Sequence, residues 1–415
     1  MDFTPTEEQA EARGLAARIF GDLSTPERLA AAGTGTDAEL WKALCAAGLP
    51  AAVEDVGLLG LVLLLEEQGR TTAQVPFAVT CVYGLLAVAE HGTAEQRQRL
   101  LPALRDGTAV ATGAFPARSG VRSAAVGAGP GPGLGTGTGP GTGAGAEAGA
   151  GGVAGAAPAG AGGADAELSG VVPYVPWLRD ATHVLVADAD RGLWIVRTGD
   201  PGVTVLPVET TAPWSAARLV LDGARGERLG GAAAGEGPAS GESPAAGGNT
   251  VAGERTERAC SGAYASVLAA GRTAFAGLQA GVCAGSLARA VEHTATREQF
   301  GRPLSTNQGV LLRAADAHMD VEAIRVTAYE AAWRRDQQLP CNTQALTAAW
   351  WASEAGKRVV HAGQHLHGGT GADLDHPVHR HFLWGRQLDA YLGGGSEVLQ
   401  ELGESLAAAE EREAS

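Results

Sequence analysis

The stretch TREQFGRPLSTNQGV, residues 296–310, sets an arginine, a phenylalanine and a glutamine at fixed spacing, as Arg297, Phe300 and Gln308. A guanidinium can hold a pyrophosphate with paired hydrogen bonds. An aromatic ring can pack against a flat heterocycle, and a carboxamide both donates and accepts hydrogen bonds. The joint spacing of these residues makes a merely solvated Arg297 the weaker interpretation.

A second stretch, HLHGGTGADLDHPVHRHFLWGRQLDAYLGGGSEVLQ at 365–400, is rich in glycine and histidine. Gly368, Gly369 and Gly371 have no side chain, so the backbone there can approach a cofactor closely. His365 can donate a hydrogen bond to the same group.

Helices and a small sheet must position these residues. Residues 1–112 read as helices with threonine caps, early carboxylates and glycine or proline at their ends. Five short runs rich in valine and leucine follow between 170 and 223, which predicts a small antiparallel sheet or barrel. The runs 259–296 and 306–338 each predict a helix long enough to cross a domain, as in antiparallel bundles.

The predicted fold class is therefore α+β, with an N-terminal helical domain, a small middle β domain and a C-terminal four-helix bundle. The predicted segments are an N-terminal domain at 1–115, a middle domain at 116–228, a Gly/Ala/Ser-rich linker at 229–257 and a bundle at 258–415. Within the middle domain, residues 120–166 have too few apolar side chains to offset the entropy of ordering them, so we expect a disordered insertion there.

Composition restricts the class of partner. The formal charge of -15 argues against nucleic acid and against anionic membrane surfaces, since phosphate affinity depends on Lys and Arg. Five cysteines, odd in number and never in a CxxC pair, indicate reduced thiols. The most apolar run, at 56–65, is too short to span a bilayer, and no signal peptide is recognised. We expect a soluble, cytoplasmic protein.

Both C-terminal stretches resemble the acyl-CoA dehydrogenase family, whose helix connection carries R-x-x-F-G-x-x-L-x-x-x-Q and whose later turn carries H-G-G-x-G. The N-terminal segments MDFTPTEEQ, LWKALCAAGLP, LLEEQGR and GTAEQRQRLLPALRDG are similar to the family's opening helices. The segment HGGTGADLDHPVHRHFLW resembles most the bacterial branch that acts on steroid side chains and related bulky acyl-CoAs.

The resemblance implies FAD as cofactor and an acyl-CoA substrate, with an electron-accepting flavoprotein as a further partner. It implies that one subunit lends Arg297, Phe300, Gln308 and the turn around Gly368 and Gly369 to the flavin of its neighbour. Gly395 and Glu397 are further candidate cofactor contacts, although a structural role is favoured for Glu397. Six of the ten histidines lie between 361 and 381, but the resemblance accounts for their positions without a metal, and we predict none.

The catalytic base is where the sequence departs from the family. Dehydrogenation needs a carboxylate at the carbon beside the thioester, and the family places its glutamate at one of two positions. By the resemblance these fall on Gly393 and on Gly271, which stands beside Arg272. Asp373 and Asp375 are the weak remaining candidates.

The middle domain departs from the family as well. The segment that wraps the flavin is replaced by GAFPARSGVRS and the glycine-rich run, and Tyr174 and Pro176 stand in the places of a tryptophan and a threonine. Proline has no backbone N–H to offer a flavin. The leading hypothesis is a non-catalytic subunit paired with a catalytic sister chain. The alternatives are a stand-alone flavoenzyme, such as a monooxygenase, in a homo-oligomer, or a cofactor-free scaffold subunit.

Overall fold

The computed structural model describes residues 3–117, 120–125, 165–230, 262–374 and 376–413. Most of the predicted insertion at 120–166 and of the predicted linker at 229–257 lies outside these residues. The described chain runs from helices through one mixed sheet to a second set of helices. This order confirms the predicted α+β class.

The N-terminal helices begin where the sequence predicts. Thr6 and Thr93 each form a capping box, in which the threonine accepts a hydrogen bond from a glutamine N–H and that glutamine side chain accepts one in return. The helices of this part are α1 Glu7–Leu23, α2 Pro26–Ala31, α3 Ala38–Ala46, α4 Leu49–Thr71, α5 Phe77–His91 and α6 Ala94–Arg105. Within α5, Thr80–Leu86 is π-helical.

Helix α4 is kinked, and a carboxylate of the C-terminal helices binds to the backbone at the kink. Gly57 has φ 71°, and the Asp336 carboxylate accepts hydrogen bonds from the N–H groups of Leu58 and Leu59 at 2.8 and 2.9 Å. A Cβ at Gly57 would lie 2.8 Å from that carboxylate, so both the backbone angle and the space require glycine. The carboxylate thus caps the second half of α4.

The sheet contains all five predicted strand runs and two strands that the sequence did not predict, β1 and β2. Its strands are β1 Ala111–Ala114, β2 Arg122–Ala125, β3 Asp165–Val175, β4 His183–Ala187, β5 Leu193–Arg197, β6 Val203–Pro207 and β7 Ala217–Arg228. The strand order is β1-β4-β5-β7-β3-β2, with β6 also paired to β7. The β1–β4 pair is parallel, and the other described pairs of this sheet are antiparallel.

The C-terminal part is built on α7 Ala263–Thr296, α8 Gln308–Asp336, α9 Asn342–Leu366, α10 Val378–Tyr391 and α11 Gly395–Glu413. A two-residue hairpin, β8 Glu298–Gln299 with β9 Arg302–Pro303, links α7 to α8. Helix α7 packs closely against α4 at Gly281, where an added Cβ would lie only 2.1 Å from the Glu66 carbonyl oxygen. Helix α7 and the bent pair α3–α4 are each long and apolar enough to cross a membrane. However, 94% of the most apolar segment of α7 is buried inside the protein. It is a core helix.

Candidate functional site

The two glycines at the predicted base positions lie beside each other in the fold. Gly271 is buried in α7, where a Cβ would lie 3.2 Å from the Tyr83 hydroxyl oxygen and 3.4 Å from a methyl carbon of Leu392. Gly393 follows Leu392 directly and has φ 117°, a conformation that side-chain-bearing residues rarely adopt. We call the space between these glycines the inner cleft.

Aromatic side chains occupy the inner cleft. One stack runs from Tyr83 to Phe115 to Tyr264, with ring centroids 5.2 and 5.6 Å apart. A second group sets Tyr391 edge-on against Phe275 at 4.7 Å and against Tyr174 at 6.2 Å. The Tyr391 hydroxyl donates to the Tyr83 hydroxyl at 3.2 Å and joins the two groups. We call these six rings the aromatic array.

The array cannot supply the missing base. Burial raises the pKa of the Tyr83, Tyr174 and Tyr391 phenols above the ordinary value, so these hydroxyls remain protonated near neutral pH. Sequence reasoning missed the array, because its rings come from three parts of the chain. Two signals were available, Tyr83 within the mostly apolar α5 and Tyr174 in the place of a tryptophan of the family.

Arg272, the residue beside Gly271, is bound within the chain. It is 5% exposed and makes two hydrogen bonds to the Glu401 carboxylate, at 2.8 and 2.6 Å. A cavity of about 20 Å³ lies between Arg272, Gln279, Ser353 and Gly393. That volume has room for about one water.

The predicted cofactor residues of the first stretch are exposed to solvent, in contrast to the buried residues of the inner cleft. Arg297 and Gln308 are exposed, and Phe300 is 98% exposed at the tip of the β8–β9 hairpin. Phe300 and Gly301 have φ 54° and 75°, the pair of positive angles of a two-residue hairpin turn. A bulky residue held in the left-handed region and fully exposed is costly, which indicates a contact outside this chain.

The structure brings the second stretch next to the first. His365 is exposed in the last turn of α9, and the 3-10 turn Gly368–Ala372 follows with Gly368 and Gly369 exposed. The rings of His293, one turn before Arg297, and His367, directly before Gly368, stack with centroids 4.7 Å apart. We call the six exposed residues Arg297, Phe300, Gln308, His365, Gly368 and Gly369 the outer site.

The other candidate residues have different surroundings. The Glu397 carboxylate accepts a hydrogen bond from the Gly394 N–H at 3.1 Å, as a residue near a helix N-terminus does. Gly395 is buried, and a Cβ there would lie 2.4 Å from a Glu354 carboxylate oxygen. Asp373 is exposed at the end of the 3-10 turn, whereas Asp375 lies outside the described residues.

The residues where the family's flavin contacts would lie in the middle domain face inward. Pro176 is buried, and its carbonyl oxygen accepts a hydrogen bond from the Thr112 hydroxyl at 2.6 Å. Trp177 is 3% exposed with φ 58° and stacks on Trp214 at 6.1 Å. This face offers a flavin no backbone donor at 176.

The described histidines and acids form no group of three that could hold a metal ion. His381, in the middle of the histidine-rich segment, is 1% exposed and points its ring nitrogens at the Arg70 and Pro377 carbonyls. Burial lowers its pKa to about 4. It is a neutral core histidine at ordinary pH.

Known proteins are similar to this chain in both of its helical parts. The family models described as the acyl-CoA dehydrogenase N-terminal and C-terminal domains match residues 6–108 and 262–404. Acyl-CoA dehydrogenase FadE27 of Mycobacterium tuberculosis is 33% identical, over 98% of this chain and 99% of that protein.

Two solved structures are similar over nearly their whole length. A variant of the steroid ACAD Tcur3481-Tcur3483 superposes with a TM-score of 0.77 at 35% identity, covering 97% of this chain and 98% of the other. The ChsE4-ChsE5 complex of Mycobacterium tuberculosis superposes with a TM-score of 0.78 at 28% identity, covering 98% and 99%. The chain belongs to the acyl-CoA dehydrogenase family of flavoprotein oxidoreductases.

Proposed function

We propose that this chain is the non-catalytic subunit of a heteromeric acyl-CoA dehydrogenase that forms an α,β double bond in a bulky acyl-CoA thioester. A sister chain of the same fold supplies the glutamate base and the flavin-wrapping middle domain. This chain supplies its outer site to the FAD of that sister. The observation that carries the proposal is the contrast between an exposed outer site and an inner cleft filled by its own aromatic array.

The outer site suits part of a flavin dinucleotide. The exposed Arg297 guanidinium presents donors in the planar arrangement that pairs with phosphate oxygens. An added Cβ at Gly368 or Gly369 would meet nothing within 4 Å, so their backbone is open to an approaching group. These residues would hold the cofactor, whose bound flavin would accept the hydride.

The inner cleft does not suit a flavin or an acyl group. The space beside position 271 holds the Tyr83 hydroxyl, to which Tyr391 donates, and a methyl group of Leu392. A glutamate at 271 would meet the Tyr83 hydroxyl, and the neighbouring cavity holds about one water. Loss of the base and loss of space therefore coincide at the same place.

The pairing with a sister chain and the kind of acyl group are proposed from similar proteins. Two solved structures that are similar over nearly the whole chain are named as pairs, Tcur3481-Tcur3483 and ChsE4-ChsE5, and the first is a steroid ACAD. By analogy, we propose a bulky, steroid-like acyl group and an electron-accepting flavoprotein that reoxidises the complex. A stand-alone flavoenzyme or a cofactor-free scaffold would give different flavin contents.

Flavin stoichiometry tests the proposal. The chain is purified alone and after co-expression with the product of a neighbouring acyl-CoA dehydrogenase-like gene, and the flavin released on denaturation is quantified against each chain. We expect little flavin in the isolated chain and one FAD per pair of chains in the complex. One FAD per isolated chain would support the stand-alone enzyme, and a flavin-free complex would support the scaffold.

A further inference from the structure

The histidine-rich segment contains a row of imidazoles beside the outer site. His367 stacks on His293 with centroids 4.7 Å apart, and its other neighbour, His376, stands edge-on at 4.9 Å. The three rings come from the end of α7, the end of α9 and the residues before α10. The turn Gly368–Ala372 begins directly after the second ring and lies between the second and third rings along the chain, so contacts of this imidazole row flank it.

The hydrogen bonds fix which nitrogens carry protons. The Nδ1–H of His367 donates to the Gly363 carbonyl oxygen at 2.7 Å. The Nδ1 of His376 accepts from the Val378 N–H at 3.2 Å, so it must be unprotonated while that bond exists. A proton on His376 would have to occupy this Nδ1, and two donors would then face each other at the start of α10.

The surroundings oppose charge on the row. Burial, then the other two imidazoles, then Arg297 lower the pKa of His293. Burial, His367 and Arg289 lower the pKa of His376, with a smaller contribution from His379, and Asp373 alone acts in the opposite direction. His293 and His376 are therefore neutral at pH 7.5, and the protons that they gain as the pH falls place positive charge on both sides of the His367 ring.

We propose that the imidazole row is a proton-operated latch on the Gly368–Ala372 turn. While His293 and His376 are neutral, both rings contact His367, and the His376 Nδ1 accepts from the Val378 N–H, the first N–H of α10. When His293 and His376 gain protons, these contacts and that hydrogen bond are lost, and the turn detaches from α7. If the proposed function holds, the latch also governs flavin retention, because the turn carries the Gly368 and Gly369 backbone of the outer site.

The sign follows from linkage. The pKa of each flanking histidine is lower in the latched state than in an open one, so the open state binds more protons. The latch is fully stable above the ordinary histidine pKa, and it weakens as pH falls from there toward the lowered values. A shift of one pKa unit corresponds to about a tenfold change in the opening equilibrium.

Hydrogen exchange of the isolated full-length chain tests the latch without the sister. A peptide spanning 365–378 is followed at pH 7.5 and 5.5, with rates corrected for the intrinsic effect of pH. We expect its protection to fall about tenfold in the wild type. In the double variant His293→Phe/His376→Asn the fall should be under about twofold, since Phe keeps the stack and Asn keeps an acceptor for the Val378 N–H.

A matched control is His318→Gln, a change of an exposed histidine on α8, which should behave as the wild type. Equal loss of protection in the wild type and the double variant, or no loss in the wild type, would overturn the latch. Release of FAD from the co-expressed complex at pH 5.5 then tests the link to function. A turn that opens while the flavin stays bound contradicts the lending of this turn and leaves the latch itself intact.

Discussion

The outer site and the inner cleft differ in what their residues contact. At the outer site Arg297, Phe300 and Gln308 project into solvent, with Phe300 98% exposed on a two-residue turn. In the inner cleft, Tyr83 and Tyr391 bond to each other and are almost completely buried. A side chain exposed at conformational cost implies an external partner, whereas a filled interior implies none.

This difference shows how one fold can keep half of a binding function. The residues of the outer site need only the helix ends and the hairpin that carry them. An active site within this chain would need an open space between α5, α7 and the turn after α10. The aromatic array occupies that space. Experiments that act on only one of the two regions can break or sharpen the comparison.

Catalysis should show the largest effect. A positioned general base contributes about a hundredfold to ten-thousandfold to rate. We therefore expect the isolated chain, supplied with FAD, to oxidise an acyl-CoA slower by about that factor than the mixed complex does. The sister's glutamate changed to glutamine should abolish the activity of the complex. Ordinary turnover by the isolated chain would mean that it has a base of its own, with Asp373 the first residue to test.

A glutamate placed in the inner cleft should not create activity. Gly393→Glu introduces a side chain at φ 117°, and Gly271→Glu directs one toward the Tyr83 hydroxyl oxygen, 3.2 Å from the new Cβ. Both variants should lower the melting temperature, because the first places a side chain at a backbone angle that favours glycine and the second buries a charge without a partner. Steady-state dehydrogenation is the measurement. A rate at least about tenfold higher than that of the wild-type chain would show that the cleft is open to substrate.

Truncation of one ring in each region should separate their effects on stability. Tyr83→Ala leaves a cavity in the array, and we expect it to lower the free energy of unfolding by about 3–5 kcal/mol, as other aromatic-to-alanine changes in cores do. Phe300→Ala should change it by less than about 0.5 kcal/mol. Urea unfolding of the isolated chain gives both values. Similar losses for the two variants would contradict the assignment of one ring to the interior and the other to the surface.

Removal of residues 126–164 should have the smallest effect. That stretch has few apolar side chains to bury, and the entropy of closing a loop changes only slowly with its length. We expect the melting temperature to stay within a few degrees, measured by scanning fluorimetry beside the full chain. Loss of soluble protein on deletion would show that the segment stabilises the fold.

Local features were predictable from the sequence because their causes are local. The capping boxes at Thr6 and Thr93 depend on residues three positions apart, and the runs of β3 to β7 depend on alternation and turn residues. The outer-site residues are set by two local motifs, R-x-x-F-G-x-x-L-x-x-x-Q and H-G-G-x-G, and their contact with a cofactor stays a prediction.

Contacts between distant residues were not predictable in this way. Arg272 pairs with Glu401, 129 positions away, and Asp336 caps the kink at Gly57 from the far end of α8. The short strands β1 and β2 have too little pattern to be recognised, and they form because longer strands pair with them. The array likewise exists only once α5, α7 and α10 have met β3 and the residue after β1.

Flavin retention by asymmetric variants of the mixed complex tests the central claim most directly. Arg297→Ala in this chain removes charge-assisted bonds to the sister's cofactor, and we expect flavin affinity to fall by about tenfold to a hundredfold. Alanine at the equivalent arginine of the sister, which would face the filled inner cleft of this chain, should change it less than twofold. Equal losses from the two variants, or an unchanged flavin content with Arg297→Ala, would contradict the account.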